Sequence, residues 1–405
     1  MRKTLLAVCV AAALLRAAPA LAQGDGGPDP ASVKVRLGPL LMNPAINISN
    51  IGVDNNVFNV APDKGPVKDY TATITPTTDF WIHLGPTWVQ ASMNEQINWY
   101  VHYASERTAN NEYKLGWNVP GSVTHFKVSW DYISARERPG FEIDARVARK
   151  QVTYDGSFDY RALSKTFIGV TASRESTRFA DDAEFEGVNL NTSLSRVTTT
   201  GGLNLHHEFT PLTSLSIGGS RSRDHFEFSP DRDSTSTGAS ASLSFSPGGL
   251  FKGGLTVGYT NFRPDAPDLP GFSGVTGSVD LTYVLMGSTR FAITGTRAVN
   301  YSYDANQPYY VLTGFDLAIA QQLVGPFDVA VHGGRQILAY RDRVGVDIAV
   351  ADRSDNVDAY GIGLGYHMGK NLRLAFNVDK VYRDSKVADR NYDNFKFGTA
   401  LTAGF

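Results

Sequence analysis

Two kinds of connection alternate along this chain, and that alternation limits its fold more than any other feature. Tight turns rich in Gly, Pro, Ser or Lys fall near Gly85-Pro86, Pro120-Gly121, Ser164-Lys165, Pro211-Leu212, Pro247-Gly248, Gly287-Ser288, Gly325-Pro326 and Gly369-Lys370. Between them lie longer, charged stretches, roughly Asp54 to Asp69, Ala104 to Asn110, Ser134 to Lys150, Arg174 to Val188 and Arg221 to Ser234. The series continues with Arg263 to Ser273, Asp304 to Gln307, Arg341 to Asn356 and Arg383 to Asn391. Short turns on one side and long polar loops on the other are what a transmembrane β-barrel shows. Eight turns and nine loops predict eighteen antiparallel strands, with both chain ends on the short-turn side; a miscounted hairpin would give sixteen.

The segments so joined alternate in polarity. From Tyr70 to Leu84 the even positions carry Tyr70, Ala72, Ile74, Phe80 and Ile82, while Thr71, Thr73, Thr75, Asp79 and His83 take the odd ones. Successive strand side chains point to opposite faces, so each segment has one apolar and one wet surface. The same pattern recurs at Thr124 to Tyr132, Val275 to Tyr283 and Leu372 to Asp379, and no part of the mature chain sustains a helical period. The last twelve residues, Asn394 to Phe405, repeat it with Phe395, Phe397, Leu401, Ala403 and a terminal Phe405 on one parity. That strand is expected to pair with the one around Ile46 to Ile51 and close the sheet.

Beyond the start the chain has no run of 18 apolar residues, so no transmembrane helix is available. Barrel strands carry lipid-facing residues only at every second position, and a hydrophobic content of 42% suits them as well as it suits a soluble β-sandwich. The N-terminus separates the compartments. Arg2 and Lys3 precede an apolar stretch from Leu5 to Leu15, and Ala20-Leu21-Ala22 is a small-residue cleavage site, so residues 1–22 are expected to be a secretory signal peptide. The barrel domain then covers 23–405, with 23–43 a short periplasmic segment. The only cysteine, Cys9, lies in the leader, so disulfides, thiol chemistry and Cys-ligated metals are excluded from the mature chain. Loss of the leader removes three basic residues and leaves 35 basic against 40 acidic, a balance that gives no hint of nucleic-acid binding.

Two details favour a membrane over a soluble sandwich. Aromatics on the apolar parity gather beside the short turns (Phe245, Phe291, Phe327, Tyr366, Phe405) and near the long loops (Tyr70, Tyr103, Tyr132, Tyr259, Tyr301, Tyr382), as interfacial girdles do. The charges that break the apolar parity, Glu95, Arg297, Arg335 and Lys380, share a height nine or ten residues above the preceding turn. That places them at the outer headgroups. At the midplane an Arg or Lys would cost about 2–4 kcal/mol.

If the apolar parity faces lipid, the other faces a lumen. The candidate lining is Thr71, Thr73, Thr75, Asp79, His83, Asn94, Gln96, Asn98, His125, Lys127, Asp131, Asp155, Asp159, Arg161, Asp280, Arg290, Arg373 and Asp379. About eighteen strands enclose more space than side chains fill, which leaves a water-filled path unless a loop plugs it. Gly361, Gly363 and Gly365 repeat on the lumenal parity; the spacing is no nucleotide-binding fingerprint, and such a stripe marks curvature or the close approach of another segment, such as an inward-folded loop. An enzyme is not expected. None of the eight histidines sits in a hydrolase motif, and the nearest acid–base pairing, Asp224-His225, would put its members on opposite strand faces. No cofactor, catalytic or metal-binding residue is identified.

Ile46 to Phe58, INISNIGVDNNVF, runs a first strand into an acidic-asparagine turn with a short aromatic ending. This element, with the length, the leader and the terminal aromatic, resembles the putative β-barrel porin 2 family. The resemblance implies an outer-membrane barrel, some relatives of which are associated with exopolysaccharide export, and carries over no individual residues. Three functions remain open: an exopolysaccharide export channel, a general diffusion porin for small hydrophilic solutes, and a plugged surface-interaction barrel. The expected partners are outer-membrane lipid and lipopolysaccharide, the barrel-assembly machinery and, for an exporter, polysaccharide-export components.

Overall fold

The structure, a computed structural model, describes residues 27–28, 33–246, 249–369 and 371–404. The leader at 1–22, Pro247-Gly248, Lys370 and Phe405 lie outside the described residues. Eighteen long strands follow one another: β1 (Leu40–Asp54), β2 (Asp69–Leu84), β3 (Thr87–Tyr100), β4 (Thr108–Pro120), β5 (Thr124–Glu137) and β6 (Val147–Leu163). Next come β7 (Thr166–Phe179), β8 (Arg196–Thr210), β9 (Thr213–Phe226), β10 (Ser234–Phe245), β11 (Phe251–Pro264) and β12 (Phe272–Leu285). The last are β13 (Thr289–Tyr301), β14 (Tyr309–Gln322), β15 (Phe327–Arg341), β16 (Ser354–Met368), β17 (Leu372–Asp384) and β18 (Tyr392–Gly404).

Each strand pairs antiparallel with its sequence neighbours, and β1 pairs with β18, Ile46 opposite Ala403 and Val53 opposite Phe397, so the sheet closes on itself. Closure leaves no unpaired edge, the condition for carrying backbone through lipid. The pairing between first and last strands is the expected one, interrupted by a bulge at Asn50, which takes a left-handed φ of 54°. The strand count matches the sequence reading, and so do the turns that lie wholly within the described residues. Loop limits differ where strands run on past the membrane: β7 continues to Phe179, so its loop starts about six residues later than the charge pattern suggested. The segment expected to be periplasmic to residue 43 already enters β1 at Leu40, and Val35–Leu37 folds back on Leu40–Met42 as a short extra strand.

Sidedness follows from exposure. A convex wall exposes its side chains more than a concave one, and large apolar residues stand 45–54% exposed on one parity, as at Trp117, Ile217, Tyr360, Ile362 and Leu364. Their neighbours on the other parity include buried Thr73, Asp131, Asp328 and Arg373. A soluble sandwich would bury the first set. Around the short-turn end, Phe245–Phe251–Tyr283–Phe291 form an outward aromatic row with ring centroids 4.8–6.3 Å apart, and Phe327 meets Tyr366 at 5.2 Å. The opposite girdle is sparser than expected. Tyr301 turns inward against Phe226 and Phe262, and Tyr103 packs edge-on against Phe58 in its loop.

All four outward charges have partners at their height. Arg335 grips Asp358 through two bonds of 2.6 and 3.0 Å, and Lys380 pairs with Asp393 at 2.9 Å. Arg297 donates to the Val275 carbonyl and to Thr313, while Glu95 accepts from the Tyr113 hydroxyl. At about 3.3 Å per residue and a tilt near 45°, nine or ten residues climb about 22 Å, which brings these groups to the edge of an apolar band about 25 Å tall.

Candidate functional site

The interior of the barrel is the concave site this fold builds. Register places all eighteen candidate lining residues on the inward parity, but they do not form one cluster. Asp79 and Asp280 are exposed to the lumen, whereas Thr73 and Arg373 are absorbed into wall contacts. Thr73 donates to Asn98, which in turn donates to Thr108. Arg373 makes two bonds to Asp328, 2.8 and 2.6 Å, and His367 reaches the same carboxylate at 2.7 Å.

The glycine stripe does mark a close approach, but of side chains from the paired strands and not of an inward-folded loop. Long polar side chains of the adjacent strands lie flat across it: a Cβ at Gly365 would overlap Asp328 and Arg373, one at Gly363 would overlap Asn377, and one at Gly361 would overlap His332 and Asp379. Gly314 and Gly334 recess Gln336 and Asp316, which hydrogen-bond to each other at 2.8 Å. The missing side chains let charged groups lie along the wall instead of projecting across the bore.

A loop does fold inward, at another place. Residues 138–146, between β5 and β6, reach across the mouth at the long-loop end to the opposite arc of the barrel. Phe141 packs on inward Tyr310, Leu312, Leu338, Tyr340 and Val357, and its carbonyl accepts from Arg383 at 2.9 Å. Asp144 Oδ2 is shared by Arg383 (3.0 Å) and Arg390 (2.9 Å), while Arg383 also binds Asp355, which Arg353 holds with two further bonds. Glu142, only 2% exposed, accepts from Ser302 Oγ at 2.6 Å. Ile143 joins a second apolar cluster with Phe185, Leu190 and Leu194 of the β7–β8 loop and Tyr303 of the β13–β14 loop. Arg232 ties these loops together, donating to the carbonyls of Ser193 (2.7 Å), Ser302 (2.5 Å) and Pro308 (3.0 Å). The result is a roof of interlocked loops.

The roof's carboxyls sit in an unusual balance. Burial pushes Glu142 and Asp144 above the ordinary carboxylate range, although Ser302 and Arg390 oppose this at Glu142, and Arg383 and Arg390 at Asp144. None of the roof residues is in the sequence-derived set. Phe141 and Ile143, two large apolar residues within an otherwise charged loop, are the one sign of it in the sequence.

No catalytic pairing appears at Asp224-His225. Asp224 accepts inward from Thr198 at 2.6 Å, and His225 pairs outward with Asp233 at 2.7 Å. The acidic run at 181–184 is engaged in its own loop, with Asp181 accepting from Asn191 at 2.9 Å.

The family described as Putative beta-barrel porin 2 matches residues 29–405. No curated protein matches the chain. Among solved structures, a BenF-like porin from Pseudomonas fluorescens Pf-5 is similar at a TM-score of 0.47 and 10% identity, with 91% of this chain and 99% of that one covered. The outer membrane protein opdK from Pseudomonas aeruginosa gives 0.46 and 11%, covering 90% and 98%. The FrpB iron transporter from Neisseria meningitidis gives 0.42 and 11%, covering 85% of this chain and 62% of its own.

Proposed function

We propose that this chain, which belongs to the Putative beta-barrel porin 2 family and resides in the bacterial outer membrane as a porin-like channel, passes small hydrophilic solutes and sets their size limit at the roof. The observation that carries this reading is the loop 138–146 latched across the mouth by Asp144, Arg383 and Arg390. An eighteen-strand bore is otherwise wide enough for water, so the narrowest level is where the loops meet. The candidate lining below the roof then serves as the wall of the path. It mixes both signs with many hydroxyls and amides, which suits neutral or weakly charged solutes.

Exopolysaccharide export needs a bore that admits a polymer, and therefore a roof that lifts. A barrel that conducts ions and is blocked by a cognate glycan supports export; one that conducts without such block supports general diffusion. Single-channel recording in planar bilayers, joined to liposome swelling with solutes of increasing size, tests the proposal. We expect conductance with a sharp size cut-off. A folded barrel that never conducts overturns it in favour of a plugged surface protein.

A further inference from the structure

A polar cavity of about 160 Å³ lies under the roof, where the first and last strands meet. Its position follows from the closure of the barrel. Gly398 of β18, in register with Gly52 of β1, lines it without bringing a side chain into it. Thr73 and Asn98 line one side, Asp379 and Lys396 the other, and Asp54 and Arg146 face in as well.

The charges in this cavity are balanced, and one is not fully used. Arg146 is held by Glu106 and the Tyr100 hydroxyl, each at 2.5 Å. Asp54 is 2% exposed, and its Oδ1 accepts from Asn56 N and Asn394 Nδ2. Its Oδ2 is ion-paired with Lys396 Nζ at 3.3 Å, and no hydrogen bond of good geometry reaches it. A buried acceptor left in this state favours an incoming donor. An anionic ligand would meet Asp54 and Asp379, and a cationic one would meet Lys396 and Arg146; burial of either charge without a dedicated partner is costly. A hydroxyl both donates and accepts, so one such group can donate to Asp54 Oδ2 while another accepts a hydrogen bond from Lys396 or from the second amide hydrogen of Asn98. The volume holds about five waters, the scale of one sugar ring and not of an oligomer.

We propose that this cavity is a binding subsite for a small neutral polyol or a single monosaccharide, an inference that rests on the diffusion reading above and names its solute class. Calorimetric titration of the folded, detergent-solubilised barrel with glucose tests it directly. Binding in the millimolar range is expected, weaker for gluconate and for glucosamine than for glucose. Lys396→Gln should weaken it about tenfold, as the loss of one charge-assisted hydrogen bond does; Asn98→Leu gives a second variant should the first fold poorly, with heat-modifiable gel migration as the check of folding. No binding of glucose, tighter binding of either charged analogue, or unchanged affinity in both folded variants overturns the subsite. Conductance is read separately. A channel that conducts but binds no sugar overturns the subsite and leaves the diffusion reading standing, while a barrel that binds sugar but never conducts does the reverse.

Discussion

The inner wall of this barrel is built in two ways. Along β9 to β12 it is lined mainly by short neutral groups, Ser216, Gly218, Ser220, Ser236, Ser240, Ser242, Thr256 and Thr260, several bonded across strands, as Ser242 to Thr256 (2.9 Å) and Thr260 to Thr276 (2.8 Å), with Asp280 and, beside the short turn, Lys252 as the charged exceptions. Along β14 to β18 it carries Asp316, Asp328, His332, Arg373, Asp379 and Lys396, with glycines opposite all but the last that let these side chains lie flat. The first wall carries little that is long; the second recesses what is long. The second latches the β5–β6 loop, because Arg383, Asp355 and the apolar patch under Phe141 all belong to that arc or its loops, while Arg232 ties the roof to the first from the β9–β10 loop. On the proposed function, both walls would share bulk permeation, and the charged one would control the mouth.

Arg383→Gln strikes at that asymmetry hardest. It leaves Asp144 and Asp355 buried with fewer partners, and breaking a buried pair from one side costs about 3–5 kcal/mol. The roof should open, seen as a several-fold rise in single-channel conductance; a conductance equal to wild type breaks the assignment of control to this arc. Ser240→Arg on the hydroxyl wall should leave the roof closed but narrow the path and shift selectivity toward anions, read from the reversal potential in a salt gradient. Gly365→Val would force Asp328 and Arg373 off the wall, for an overpacking cost of about 1–3 kcal/mol, visible as a lower urea midpoint. The same change at Gly201, where nothing lies in the way of a Cβ, should cost less.

The smallest effect is that of pH. Glu142 and Asp144 have raised pKa values in the closed roof, so protons bind the closed form more tightly than an opened one in which both carboxyls are hydrated. Acidification through the window between the raised and ordinary carboxylate values should thus favour closure, since the rise is what remains after the attraction to Arg383 and Arg390 has acted. Open probability in bilayers should fall modestly as pH drops through that range, and a rise would reverse the assigned balance.

The barrel was legible in the sequence because its determinants are local. Alternation at Tyr70 to Leu84 and a turn at Gly85-Pro86 are decided within a few residues, and each repeats along the chain until the strands can be counted. Inward parity was legible for the same reason at Asp79, His125 and Arg373. The roof was not, because its contacts join distant parts of the chain: Glu142 with Ser302 and Asp144 with Arg383 are bonds no period encodes. Phe141 and Ile143 hinted that their loop buries something, without saying where. The hydroxyl wall escaped notice because serine and glycine in a strand carry no chemical signature of their own. The glycine stripe was noticed, but from sequence a neighbouring side chain and an inserted loop are equivalent causes.

The central claim is that the β5–β6 loop, not the barrel wall, limits passage. Single-channel conductance of the wild type against a variant with residues 139–145 replaced by a short Gly-Ser link tests it most directly. The account predicts a small wild-type conductance and a several-fold larger one in the variant, with a matching rise in the largest solute that enters liposomes. Equal conductances and equal size cut-offs in two folded barrels would contradict it.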